Sequence, residues 1–249
     1  MKELLSCAMD IGEQMLICGA EVHRVEDSIQ RMCLARGARR IDVFIITSSM
    51  VATVYTEAGD TYTQTRRITS TGTDIERLHR LNALSRKICC EAMTAEQIRD
   101  EYQKILGCKK YPFGLECLFC AIITGSFTLF FGGNFVEAGV SFVLGVCIQL
   151  LVTFTEKAGM NKIFIKFICS FLASSLAFLA VKLGMIPDID KVIIGNIMML
   201  IPGVGLTNAL RDLFTGDSIA GLLRLIEALL VALAIGGGYF LFVCTVGGL

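Results

Sequence analysis

Hydrophobic positions in the first third of the chain recur with helical spacing. Leu4, Leu5, Ala8, Met9, Gly12, Met15 and Leu16 form one series, and after Gly19 a second runs through Val22, Val25, Ile29, Met32 and Cys33. Apolar residues three and four apart share one helix face, so two amphipathic helices are predicted in succession. Gly37 ends the second, with Arg36 in its last turn, because glycine most easily takes the left-handed conformation past a helix end. The pattern then changes to three β-branched runs, Ile41 to Thr47, Val51 to Thr56 and Tyr62 to Ile68, separated by short turn-forming segments. These predict an antiparallel meander. Helical periodicity returns at Ile75, Leu78, Leu81, Leu84 and Ile88, with Thr73 or Asp74 as N-cap, and Thr94 and Gln97 are placed as the capping box of a shorter helix ending near Leu106.

From residue 111 the polar positions thin out. Phe113 to Phe131, Phe135 to Phe154, Ile163 to Val181, Val192 to Leu210 and Ile219 to Val246 are predominantly apolar. Roughly 20 residues at about 1.5 Å each cross a hydrocarbon core of about 30 Å, so each run is long enough to span. The predicted architecture is an α+β cytosolic domain over 1–110 followed by an all-α membrane domain of five transmembrane helices over 111–249.

Charge follows the same division. Residues 1–110 hold 16 Lys/Arg and 15 Asp/Glu, whereas 111–249 hold 7 and 8. The balanced, interspersed charges offer no nucleic-acid footprint. Met1 to Ile17 carries Lys2, Glu3, Asp10 and Glu13, so no signal peptide is expected there and the N-terminal region is placed in the cytosol. Lys109 and Lys110 before the first span, Lys157 and Lys162 after the second and Arg211 after the fourth orient the N-terminus inside and the C-terminus outside. The eleven cysteines are scattered, several within apolar runs, and are read as reduced thiols used as small hydrophobes. Cys117 and Cys120 have C-x-x-C spacing but lack two further ligands at suitable positions, so no metal or cofactor is expected.

Two stretches carry the candidate chemistry. In the fourth span an apolar helix containing Asn196 meets Pro202, Gly203, Val204 and Gly205 and runs out into Asn208, Arg211 and Asp212. A helix broken at membrane depth has unpaired backbone groups, which survive only beside protein or a wet cavity, and transporters build solute sites from such breaks. A simple Pro-Gly kink is the plainer alternative. Arg224 and Glu227, spaced i,i+3, either pair at an interface or line a path with Arg211 and Asp212. The second stretch, Gly19 to Glu26, offers Glu21, His23, Arg24 and Glu26: groups able to move a proton or pair with a carboxylate, or simply a helix start whose acids offset the helix dipole. His23 and His79 join no nucleophile-base pattern, no ATP-binding P-loop is present, and neither an enzyme nor an ATP-driven pump is expected.

The Gly19–Glu26 segment, the β-rich middle and the later run from Pro202 through Asp212 into Gly216–Gly221 together resemble the threonine/serine exporter family across nearly the whole chain. Fused members of that family have two membrane parts. This chain, with five spans, resembles the separate N-terminal subunit of two-component versions, in which a smaller membrane companion supplies the rest. The resemblance implies an inner-membrane secondary exporter of small carboxylate-bearing metabolites, amino acids such as threonine and serine or a dicarboxylate such as succinate, with oligomerisation or a companion subunit. Arg211 and Arg224 are suited to a carboxylate, Asp212 and Glu227 to an ammonium or to protons that couple export to the gradient. The rival class is a membrane-anchored sensor or scaffold whose cytosolic domain binds a ligand or partner without solute flux.

Overall fold

The computed structural model describes residues 1–108 and 111–246. Lys109 and Lys110, used above for orientation, and the last three residues lie outside them. Two compact units emerge, and the first is discontinuous in sequence: Met1–Lys109 with Gly203–Ile226, then Lys110–Pro202 with Glu227–Leu249.

In the first unit α1 (Lys2–Ile17) and α2 (Val22–Leu34) are followed by β1 (Ala38–Ile46), β2 (Ser49–Thr56) and β3 (Thr61–Arg67), then α3 (Ile75–Cys90) and α4 (Ala95–Leu106). The strands form an antiparallel sheet in the order β1-β2-β3, with Ile41 opposite Val54 and Thr53 opposite Thr63. Side chains alternate across a strand, so Ile41, Ile45, Met50, Ala52 and Val54 enter one core with Met15, Ile29 and Leu81. The outer face is polar enough that the Thr53 and Thr63 hydroxyls hydrogen-bond at 2.9 Å. Asp74 caps α3 by accepting from Arg77 N at 2.9 Å, and both hydrogen bonds of the Thr94–Gln97 box form.

Also in this unit are α9 (Gly203–Thr215) and the opening of α10 (Ser218–Val246). Gly216, at φ +99°, ends α9, and Asp217 N donates back to Asp212 O at 2.9 Å. A Cβ at Gly221 would lie 2.8 Å from Leu213 N and 2.9 Å from Ala209 O. The Gly216–Gly221 segment is therefore a tight helical hairpin: one glycine supplies the left-handed turn and the other lets the two backbones approach.

The second unit contains α5 (Phe113–Phe130), α6 (Phe135–Lys157), α7 (Lys162–Lys182), α8 (Asp190–Met198) and the remainder of α10. Among the described residues four helices, α5, α6, α7 and α10, are long and apolar enough to cross a membrane. The number becomes five if α8 and α9, separated by a short break, count as one interrupted span. The fourth predicted span, Val192 to Leu210, is thus not one helix. Phe130 and Phe135 are exposed, as is Phe240, which suits helices whose outer surface faces lipid.

Small residues and hydroxyls hold α5, α6 and α8 together. A Cβ at Gly145 would stand 2.3 Å from Thr124 Oγ1, and one at Gly195 would stand 2.1 Å from Thr128 Oγ1 and 2.9 Å from Thr128 N. Thr124 Oγ1 donates to Ser141 O at 2.8 Å, and Thr128 Oγ1 to Ser141 Oγ at 2.6 Å. Lipid tails are as apolar as leucine, so membrane helices associate through close backbone approach and interhelical hydrogen bonds rather than apolar burial alone. Glu137, 1% exposed, is satisfied locally: Asn134 N donates to its carboxylate at 2.8 Å and Glu137 N donates to Asn134 Oδ1 at 2.9 Å, a capping box opening α6. At this close contact a Gly195→Ala substitution is expected to cost about 1–3 kcal/mol and lower the melting temperature of the detergent-solubilised chain. Gly139→Ala, where a Cβ meets nothing within 4 Å, is expected to cause no loss.

Candidate functional site

The α1–α2 turn is where the two candidate stretches meet. Gly19 sits at φ +92°, and a Cβ there would lie 2.9 Å from Gly72 O, so glycine is required both by backbone conformation and by space. Carbonyls at the end of α1 are taken by the segment before α3: Gly72 N donates to Ile17 O at 2.8 Å and Asp74 N to Cys18 O at 3.1 Å. The next two carbonyls are taken by side chains far away in sequence. Asn208 Nδ2 donates to Gly19 O at 2.8 Å and Arg224 Nη2 to Ala20 O at 2.8 Å.

The start of α2 is satisfied from the same direction. Glu21 occupies the N-cap position but gives no side-chain cap. Val22 N instead donates to Asp212 Oδ1 at 3.2 Å. A carboxylate at a helix N-terminus meets both an unpaired N–H and the positive end of the helix dipole, and here that carboxylate comes from α9. Asp212 is fully buried, and its other oxygen lies 3.0 Å from Arg224 Nη1. That contact is a close ion pair with off-axis geometry, since Oδ2 receives no well-directed hydrogen bond among the described residues. Glu21, freed from capping, pairs with Arg211.

Asn208, Arg211, Asp212 and Arg224 converge with Glu21 on the backbone of Gly19–Val22. The i,i+3 pairing of Arg224 with Glu227 is not formed among the described residues: the guanidinium is held by Asp212 and Ala20 O, and Glu227 is exposed. His23 and Arg24 are exposed on the outer side of α2. Glu26, one turn further along, is partly buried and accepts from Ile45 N at 3.0 Å. Pro202 is half-buried before α9, while Gly203 and Gly205 are exposed in its first turn. Asn196 lies in the other compact unit, fully buried on α8.

Asp217 is the acidic member of this neighbourhood that the sequence did not single out. Burial, followed by the negative charge of Asp217, pushes the Glu26 carboxyl up from 4.5 to about 7; Asp212 acts in the same direction, and the Ile45 N–H and His23 oppose it. The carboxyl therefore holds its proton more tightly in the folded chain than in the unfolded one. Its stabilising contribution is complete below about pH 4.5 and is lost as pH rises through about 7. Glu26→Gln keeps an acceptor for Ile45 N–H and removes the charge. It is expected to raise the thermal stability of the detergent-solubilised chain at pH 8 by about 1–2 kcal/mol after allowance for partial exposure, and to leave it unchanged at pH 4. A stability offset independent of pH would contradict this assignment.

A family described as "Putative threonine/serine exporter" matches residues 6–246. The protein named "Threonine/serine exporter" of Corynebacterium glutamicum is 23% identical over 236 residues, which cover 91% of this chain and 48% of that protein. "Pheromone-regulated membrane protein 10" of Kluyveromyces lactis is 23% identical over 237 residues, covering 90% of this chain and 24% of that protein. The protein of the same name from Eremothecium gossypii is 24% identical over 238 residues, 90% of this chain and 30% of that protein. The chain thus spans between 24% and 48% of the length of these curated relatives. No solved structure matches.

Proposed function

The chain belongs to the threonine/serine exporter family, a family of transporters rather than enzymes, and from that premise we propose that it is the membrane subunit of a secondary exporter of small carboxylate-bearing metabolites. Threonine and serine are the first candidate solutes, because the bacterial relative carries their names; a dicarboxylate such as succinate is the second. The observation that carries the reading is the family match over residues 6–246, which takes in the four long apolar helices and the interrupted pair α8–α9. Such a break leaves half-helix ends able to face a solute.

Within this reading the N-terminal α+β region lies in the cytosol and the C-terminus outside, in a bacterial inner membrane. Arg211, with a side chain 57% exposed, is the cation open to a solute: an arriving carboxylate competes with Glu21 for its guanidinium. Arg224 and Asp212 are committed to one another and to the turn, and they position rather than bind. Export is coupled to protons through an acid that titrates near neutrality, and Glu26 has that property. A smaller membrane companion, and oligomerisation, complete the path, since four or five apolar helices supply few walls for an enclosed one.

The test is reconstitution of the full chain in liposomes with and without a candidate companion, loaded with threonine, serine or succinate, under an imposed pH gradient. Efflux of one solute that requires the companion is the expected outcome, with Arg211→Ala lowering it at least about tenfold, the equivalent of one lost charged hydrogen bond. Absence of efflux for every solute under either condition would overturn the reading in favour of a membrane-anchored sensor or scaffold.

A further inference from the structure

The second compact unit contains two buried apolar clusters, one above the other along the same helices. The first includes Leu144 on α6, Ala177 on α7, Val192 on α8 and Phe242 on α10. The second includes Ile148 on α6, Ala173 on α7, Leu200 just past the end of α8 and Ile235 on α10. Ile197 packs against both. Val192 of the first cluster and Leu200 of the second stand four residues to either side of Asn196, and with neighbouring Ile197 touching both, Asn196 sits at the level where the two clusters adjoin.

Asn196 is 0% exposed. Its Nδ2 donates to Val192 O at 2.8 Å, and because a carbonyl can only accept, this bond fixes which end of the amide is nitrogen. Oδ1 is thereby left as an acceptor, and it receives no hydrogen bond among the described residues. Leaving a buried acceptor unmet is destabilising, and a leucine at this position would avoid the cost. A second observation points the same way. The carbonyl end of α8 lies within one turn of Asn196, and that last turn carries no basic residue. No side chain of α8 itself therefore offsets the negative end of its dipole, which lies beside the unmet acceptor. Both features call for a hydrogen-bond donor, and a positively charged one best of all.

We propose that Asn196 Oδ1, with the carbonyl end of α8, is the contact for the ammonium group of an amino-acid solute at the junction of the two apolar clusters. This inference rests on the exporter reading and narrows it: the solute is an α-amino acid, and a dicarboxylate, which has no donor to offer, is disfavoured. The residue contributes one charge-assisted hydrogen bond in a dry site, where such bonds discriminate strongly against analogues that lack the donor.

The experiment compares binding of L-threonine and of 3-hydroxybutyrate, which is threonine without its ammonium group, to the purified full chain, beside threonine efflux from proteoliposomes. The wild type is expected to prefer threonine at least about tenfold. Asn196→Leu, which removes the unmet acceptor, is expected to keep or raise the melting temperature while the preference falls to near unity. Asn196→Ala provides the same comparison should leucine prove too large. An unchanged preference in either folded variant overturns the ammonium contact and leaves the exporter reading intact if wild-type efflux persists. A wild type that exports threonine but shows no preference over 3-hydroxybutyrate overturns the contact alone. A wild type that binds no amino acid and, with and without the companion, moves neither an amino acid nor succinate overturns both; one that moves succinate alone overturns the contact and leaves the exporter reading standing.

Discussion

A carboxylate that is fully buried must have its charge met, and Asp212 has it met by Arg224 and by the first free N–H of α2. Removing one partner of such a pair leaves an uncompensated buried charge, which costs about 3–5 kcal/mol. That asymmetry ties together parts of the chain that are 190 residues apart. It explains why the α1–α2 turn, the α9–α10 hairpin and the opening of α10 form one compact unit. Asn208 and Arg224 close the turn's carbonyls while Asp212 closes its N–H, so hardly any backbone polar group of Gly19–Val22 is left to compete for water. The glycines follow from the same contact. Gly19 allows the turn, Gly216 ends α9, and Gly221 lets α10 approach closely enough for Arg224 to reach Ala20 O.

In the second unit the polar groups have a different part. Thr124, Thr128 and Ser141 satisfy one another across α5 and α6, and Glu137 is satisfied at the helix start. Those hydroxyls build the scaffold, each with a partner on its own or the facing helix. Asn196 is the exception in this unit among the described residues, and it stands on the short helix that precedes the break. A rigid, fully satisfied pair of helices beside a short helix with one unmet acceptor is the arrangement in which a binding contact can exist without loosening the fold.

Much of the fold was legible because its signals are local. The Thr94–Gln97 box, a cap at Thr73 or Asp74, the meander and the apolar runs from Phe113, Phe135 and Ile163 all rest on spacings of two to four residues or on unbroken apolar length, and the structure has helices or strands there, with Asp74 as the cap. The Asn134–Glu137 box has the same spacing signature, set at the edge of a long apolar run. The candidate site is another matter. Glu21 stands at the N-cap position of α2 whereas Asp212 lies near the far end of α9, and nothing local says that the distant acid caps α2. Likewise i,i+3 spacing favours Arg224 with Glu227, but tertiary packing offers Arg224 a buried carboxylate and a backbone carbonyl instead. The residues of the site were visible as unusual charges in apolar surroundings; their partners were not, because partnership across the chain leaves no periodicity to read.

The Asp212 carboxylate holds the start of α2, and segment-resolved hydrogen exchange on the full chain with Asp212→Ala tests this directly. Local loss of the cap is predicted to speed exchange over residues 19–25 about tenfold or more, while the sheet over residues 38–56 stays as protected as in the unsubstituted chain. Exchange over 19–25 that is unchanged by the substitution would contradict it.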